Sequence, residues 1–235
     1  MAARVAARTM ARRGAEYTDE VRRLLDAALD VMRRQGPGGR ARVADIVKAA
    51  GLSNDAFYRH FASKEDLVEA VLDDGTQRLR SYLAHQMDKE RQPERQLRRW
   101  VEGVLSQADE EIASATLAVL SNAGTSGGGR AAGRHFASAP LAALLVAPFA
   151  ALGSPAPELD ASLVAHAVLG TLSDHLWRRT QPTRSEVDCI VGFCLAAVRR
   201  IPQTRRGARA GTSARRAGPG TAGSDAVAAG GQGAP

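Results

Sequence analysis

Along most of this chain apolar residues recur at spacings of three and four, and short polar or Gly/Pro-rich stretches separate the runs. That period belongs to helices with one buried face, and almost no segment alternates as a strand would. Tyr17, Val21, Leu24, Leu25, Ala28 and Met32 trace a first helix, capped by Thr18 and stopped at Gly36-Pro37-Gly38-Gly39. Val43, Ile46, Val47 and Ala50 mark a short second helix, and Gly51 supplies a residue free to take positive φ. A third short helix runs from about Ser53 to His60. It pairs buried Phe57 with Phe61 and turns Asn54, Asp55, Tyr58, Arg59 and His60 outward. From Ser63, which with Asp66 forms a capping-box-like start, a long helix carries Leu67, Ala70, Val71, Leu79, Tyr82, Leu83 and Met87 on a stripe broken at Asp73-Asp74-Gly75. Five more helical stretches follow: Glu94–Gln107 behind Pro93, Asp109–Leu120, Arg130–Leu152 after a glycine cluster, Glu158–Arg179 and Arg184–Ile201.

The expectation is an all-α protein with a small head, residues 17–72, and a helical body, residues 73–201. The flanks 1–16 and 202–235 have no apolar stripe and are rich in Arg, Ala and Gly, which predicts a disordered basic arm and a disordered tail. Helix, tight turn, helix within the head is a helix-turn-helix signal.

The stretch Ile46-Val47, Ala50-Gly51-Leu52-Ser53, Asn54-Asp55-Ala56, Phe57-Tyr58-Arg59-His60-Phe61 and Ser63-Lys64-Glu65-Asp66-Leu67 resembles the DNA-binding domain of the tetracycline-repressor (TetR) family. The resemblance covers roughly residues 17–72; beyond it only helix count and chain length agree. It implies phosphate contacts from Tyr58, His60 and Lys64, and base-edge contacts from Ser53, Asn54, Asp55, Ala56 and Arg59. Arg favours guanine and Asn adenine by matching donors and acceptors. Three positions depart from the family pattern. Asp55 stands where Gly is common, and its carboxylate either accepts from a cytosine amino group, caps the helix or repels a phosphate. Ala56 lacks a hydroxyl often present there. Arg42 replaces a capping Thr or Ser, which weakens the cap by about 1 kcal/mol and adds a cation for phosphate.

By the same resemblance the body holds a small-molecule effector pocket, and the last two helices pair with a second copy to make a homodimer. Ligand binding would then shift the long helix and change the spacing of the two reading heads. Trp100, Val104, Leu117, Phe136, Phe149 and His166 are the pocket candidates, each of them taken singly more readily read as packed core. The few aromatic and polar groups on those stripes favour a small hydrophobic effector.

Charge supports this division. Residues 1–65 carry 13 Lys or Arg against 8 Asp or Glu, residues 66–201 carry 14 against 16, and residues 202–235 carry 5 against 1. A positive head on a slightly acidic body suits phosphate binding by the head alone. Arg4, Arg8, Arg12 and Arg13 of the arm, and Arg205, Arg206, Arg209, Arg215 and Arg216 of the tail, either add DNA affinity or merely solubilise.

No apolar run reaches the length of a membrane span, and no apolar segment follows the N-terminal arginines, so a cytoplasmic location is expected. Cys189 and Cys194, five apart, suit packing better than a zinc site, and no metal or cofactor is expected. Gly124-Thr125-Ser126-Gly127-Gly128 has the letters of a nucleophile elbow, and the run Gly218–Gly223 those of a dinucleotide fingerprint, but neither follows a strand. The chain therefore reads as a ligand-responsive transcriptional regulator, most readily a repressor on a palindromic operator, and not as an enzyme. The alternative is a small-molecule-binding or adaptor protein of the same fold with a vestigial head.

Overall fold

A computed structural model describes residues 2–123 and 138–198. The glycine cluster with Ser126, Phe136, and the tail with its arginines and glycine string lie outside the described residues. Within them the order is α1 (Ala2–Gln35), α2 (Val43–Ala50), α3 (Asn54–His60), α4 (Lys64–Met87), α5 (Pro93–Leu105), a single 3-10 turn (Ser106–Ala108), α6 (Glu110–Ala123), α7 (Ser138–Ala151), α8 (Pro157–Arg178) and α9 (Arg184–Val198). Every regular element among the described residues is helical, as the periodicity predicts.

The first helix begins at Ala2, where the sequence reading expected a disordered arm up to residue 16. Ala and Arg are strong helix formers, and extending an already packed helix needs no new nucleus. Thr18 is consequently not a cap. Its hydroxyl donates back to the carbonyl of Gly14 (2.9 Å), one turn earlier in the same helix.

Two cores organise the chain. The head core is built from Leu24, Ala28 and Met32 of α1, Ile46 of α2, Phe57 of α3, Phe61 at its end, and Leu67, Val68 and Val71 of α4. The end of α6, Ala118, Val119 and Ala123, belongs to that same core, so the head borrows a face from the body sequence. The body core gathers Leu83 and Met87 of α4, Leu97, Trp100 and Val104 of α5, Leu117 of α6, Leu145 and Phe149 of α7, Leu169 and Leu172 of α8, and Val191 and Cys194 of α9.

Helix α4 therefore starts in one core and ends in the other. It runs unbroken through Asp73-Asp74-Gly75 although its apolar stripe is interrupted there. An Arg78 guanidinium–Asp74 carboxylate pair (2.7 Å) and the Thr76 hydroxyl donating to the Leu72 carbonyl (2.9 Å) brace that turn.

Buried Asn122 ties the parts together. Its Oδ1 accepts from the Ala41 amide (2.9 Å), and its Nδ2 donates to the carbonyls of Gly39 (3.2 Å) and Ala118 (2.9 Å). The loop between α1 and α2 is thereby fixed to α6.

Candidate nucleic-acid interface

In the head, backbone chemistry decides where α3 stands. Helix α2 closes on Gly51 in the left-handed conformation (φ 64°), and the Leu52 amide returns to the Val47 carbonyl (2.9 Å). Arg23 of α1 reaches across to donate to the last carbonyls, Ala50 (3.2 Å) and Gly51 (3.3 Å). Ser53 then starts α3, its Oγ accepting from the Ala56 amide (3.1 Å). Ser63 starts α4 in the same way, accepting from the Asp66 amide (3.1 Å), as the capping-box reading predicts. Arg42 precedes α2 in extended conformation without a side-chain capping bond, which leaves its exposed guanidinium at the head surface.

The expected site residues separate into three groups. Asn54, Asp55, Tyr58 and Arg59 are exposed on α3, with Tyr58 at 60%; Ser53 is exposed at its cap, and Lys64 is half-buried at the first position of α4. Phe57 and Phe61 point the other way into the core, and the Phe57 ring meets Tyr58 edge-on at 5.1 Å. Ala56 is also on the buried side. It was expected among the base-edge contacts, but its methyl packs inside the head, and its role is to seat the helix.

His60 departs furthest from expectation. The resemblance implies a phosphate contact, yet its side chain is only 1% exposed. Its Nε2 lies 2.7 Å from a Glu20 carboxylate oxygen, its ring meets Tyr17 edge-on at 4.4 Å, and its buried Nδ1 has no hydrogen-bond partner. Glu20, on α1, also takes Arg59 Nη2 at 3.2 Å. The His60 hydrogen bond, with Arg59 adding to it, holds the Glu20 carboxyl below the usual carboxylate range. Sequence reading passed over Glu20. It sits four residues before Leu24 among other charged groups on α1, and nothing in the letters marks it as the partner of α3.

In the body, Trp100, Val104 and Phe149 are fully buried core, and the Trp100 indole N–H is spent on the Leu141 carbonyl (3.0 Å). His166 lies on the exposed side of α8, with Nδ1 2.6 Å from the Ser162 carbonyl and Nε2 3.2 Å from the Ser138 hydroxyl. Of the pocket candidates only Leu117 lines a described cleft. That cleft, about 410 Å³, is bounded by Ala108, Glu110, Ala113, Ser114, Leu117, Arg179 and Gln181. A second, mainly apolar cleft of about 180 Å³ lies where α1, α4 and α6 meet, lined by Leu25, Leu29, Val71, Ile112 and Val119 with Asp26, Asp74 and Arg78 among its polar residues.

On α8 and α9, Leu159, Leu163, Trp177 and Phe193 are large apolar groups left exposed, Phe193 at 63%. Among the described residues no group of three or more His, Cys, Asp or Glu side chains is arranged to hold a metal, and no helix is long and apolar enough to cross a membrane.

Residues 24–71 match the model of a family described as bacterial regulatory proteins, tetR family. No curated protein matches the chain. Similar solved structures include a transcriptional regulator from Rhodococcus sp. Rha1 (24% identity, 76% of this chain and 95% of that one, TM-score 0.53) and a TetR-family transcriptional regulator from Pectobacterium atrosepticum (20%, 78% and 92%, 0.53). The transcriptional regulator FadR from Bacillus subtilis, solved with stearoyl-CoA, is similar at 16% identity over 75% of this chain and 96% of that one, with a TM-score of 0.52. At these identities the likeness is one of fold.

Proposed function

We propose that this chain, whose residues 24–71 match the tetR-family model and whose fold is like that of TetR-family regulators, is a cytoplasmic, effector-responsive transcriptional repressor acting as a homodimer on a partly palindromic operator. The observation that carries the reading is the polar face of α3. Asn54, Asp55, Tyr58 and Arg59 stand in solvent, while Ala56, Phe57 and Phe61 anchor the helix from behind. Such a rod, held proud of the head between two serine-capped helix starts, fits a major groove. Arg42 and Lys64 flank it and supply phosphate contacts, and Tyr58 adds a phenolic donor.

The exposed apolar groups of α8 and α9 support the dimer. Leu159, Leu163 and Trp177 lie along the outer side of α8, and Phe193 with Gly192 and Cys189 along that of α9. Apolar area of this kind favours closure against a second copy in a four-helix bundle, and two heads supply the discrimination that one small head lacks.

The cleft beside Leu117 is the proposed effector site. Its wall offers Ala108, Ala113 and Leu117 to an apolar body, and Ser114, Gln181 and Arg179 to a polar end. Helix α6 reaches from this cleft to the head core, so an occupant that displaced α6 would also move the head.

A titration of labelled DNA from upstream of the protein's own coding sequence against a random duplex, at two salt concentrations, tests the reading. The expected result is tighter binding to the upstream DNA at both. Equal affinity for the two duplexes returns the head to a vestigial role.

A further inference from the structure

Glu20 lies beneath the readout helix and touches two of its residues. One carboxylate oxygen meets both buried His60, through Nε2 at 2.7 Å, and exposed Arg59, through Nη2 at 3.2 Å; the other is 3.5 Å from the same Arg59 nitrogen. The two contacts differ in what they can give up. His60 has nowhere else to bond, since its ring is enclosed by the head and its Nδ1 already lacks a partner. The guanidinium of Arg59 is 62% exposed and carries five N–H donors, of which Glu20 engages only those of Nη2. His60 therefore pins the carboxylate, and the pinned carboxylate tethers Arg59.

We propose that Glu20 is a positioning residue for DNA discrimination: anchored by His60, it holds the Arg59 guanidinium to α1, so that Arg59 meets a base edge on the operator but is withheld from the phosphates of arbitrary DNA. This rests on the DNA-binding reading above. An arbitrary duplex offers Arg59 only backbone charge, and the ion pair with Glu20 already offsets much of the positive charge that a phosphate would attract. A correct base edge is met by hydrogen bonds from the N–H groups that Glu20 leaves unengaged, while the tether stays in place.

Glu20→Gln tests this. The carboxamide oxygen can still accept from His60 Nε2, so the head keeps its anchor while the charge that holds Arg59 is removed. Random-duplex affinity of the full-length protein is expected to rise roughly five-fold, and the slope of log affinity against log salt to steepen by about one. Upstream-DNA affinity is expected to rise by less, so the ratio between the two falls. The gain should vanish in the Glu20→Gln/Arg59→Ala double variant, measured against Arg59→Ala alone. Glu20→Asp, which keeps the charge but withdraws it by one methylene, should shift random-duplex affinity in the same direction by a smaller factor, and it serves if the amide variant fails to fold.

A purely structural Glu20 would move the thermal midpoint and leave the salt slope alone. Unchanged random-duplex affinity and slope in both variants, or a gain that persists without Arg59, would overturn the proposal while the regulator reading stands. Failure of the unmodified protein to bind any duplex at low salt would remove both.

Discussion

Single side chains of the head divide into those exposed on the face proposed to meet DNA and those that hold that face. Tyr58→Phe and Lys64→Ala should each weaken binding to every duplex by a similar factor, roughly three- to ten-fold, with Lys64→Ala also lowering the salt slope by about one. Fluorescence titrations at several salt concentrations read both. Ser53→Ala should instead cost about 1 kcal/mol of folding stability through loss of the α3 cap, seen in urea unfolding. Glu20 adds a pH dependence whose sign is set by its lowered carboxyl. The ionised form gains its contacts on folding, so its stabilisation is complete above the ordinary 4.5 of an unfolded carboxylate and is lost as pH falls through the lowered folded value. The stability gap between the unmodified protein and Glu20→Gln should therefore close on acidification. At this scale the sequence was legible where a residue's role is local. The Ser63 cap, the Gly51 turn and the missing cap at Arg42 all follow from neighbours within four positions. His60 was misplaced because its burial depends on Glu20 and Tyr17 of α1, which meet α3 only after folding, and Ala56 because the letters do not show which side of so short a helix is buried.

Among the elements, α4 and α6 carry the connection between head and body. Periodic stripes made most of the described helices readable to within a few residues, because helix faces repeat along the sequence, whereas the start of α1 at Ala2 lies in a stretch with no stripe. The sharing of α6 between two cores was not readable, since Ala118, Val119 and Ala123 look like any other stretch of small apolar residues. Nor was the role of Asn122, an amide two of whose partners, Ala41 and Gly39, are about eighty residues away. Asn122→Ala leaves the Ala41 amide and Gly39 carbonyl without this partner, and should cost about 2–3 kcal/mol in urea unfolding. Gly103 on α5 has a related duty. A β-carbon there would sit 2.4 Å from Leu83 Cδ2 on α4, so Gly103→Ala should destabilise by about 1–3 kcal/mol and loosen the α4–α5 contact. Arg179, which ends α8 with φ at 54°, gives the reverse case. Arg179→Gly should stabilise the fold by about 1 kcal/mol and weaken any anionic effector in the cleft beside Leu117.

For the whole molecule, the proposed partners are a nucleic acid for the positive head and a second copy for the apolar outer faces of α8 and α9. Phe193→Arg should shift sedimentation from dimer to monomer, with a loss in dimer affinity of roughly thirty-fold or more. The cysteines offer an independent view. Burial pushes the Cys194 thiol up to about 11, so it should resist alkylation in the native protein, whereas exposed Cys189 should label in the monomer and be protected as the dimer forms. The central claim is that two copies present their α3 faces to one side of a duplex, and hydroxyl-radical footprinting of the upstream region tests it most directly. Two protected backbone patches about 34–36 Å apart, or a whole multiple of that helical turn, are predicted. A single patch of no fixed spacing, or uniform protection across the fragment at every protein concentration, would contradict it.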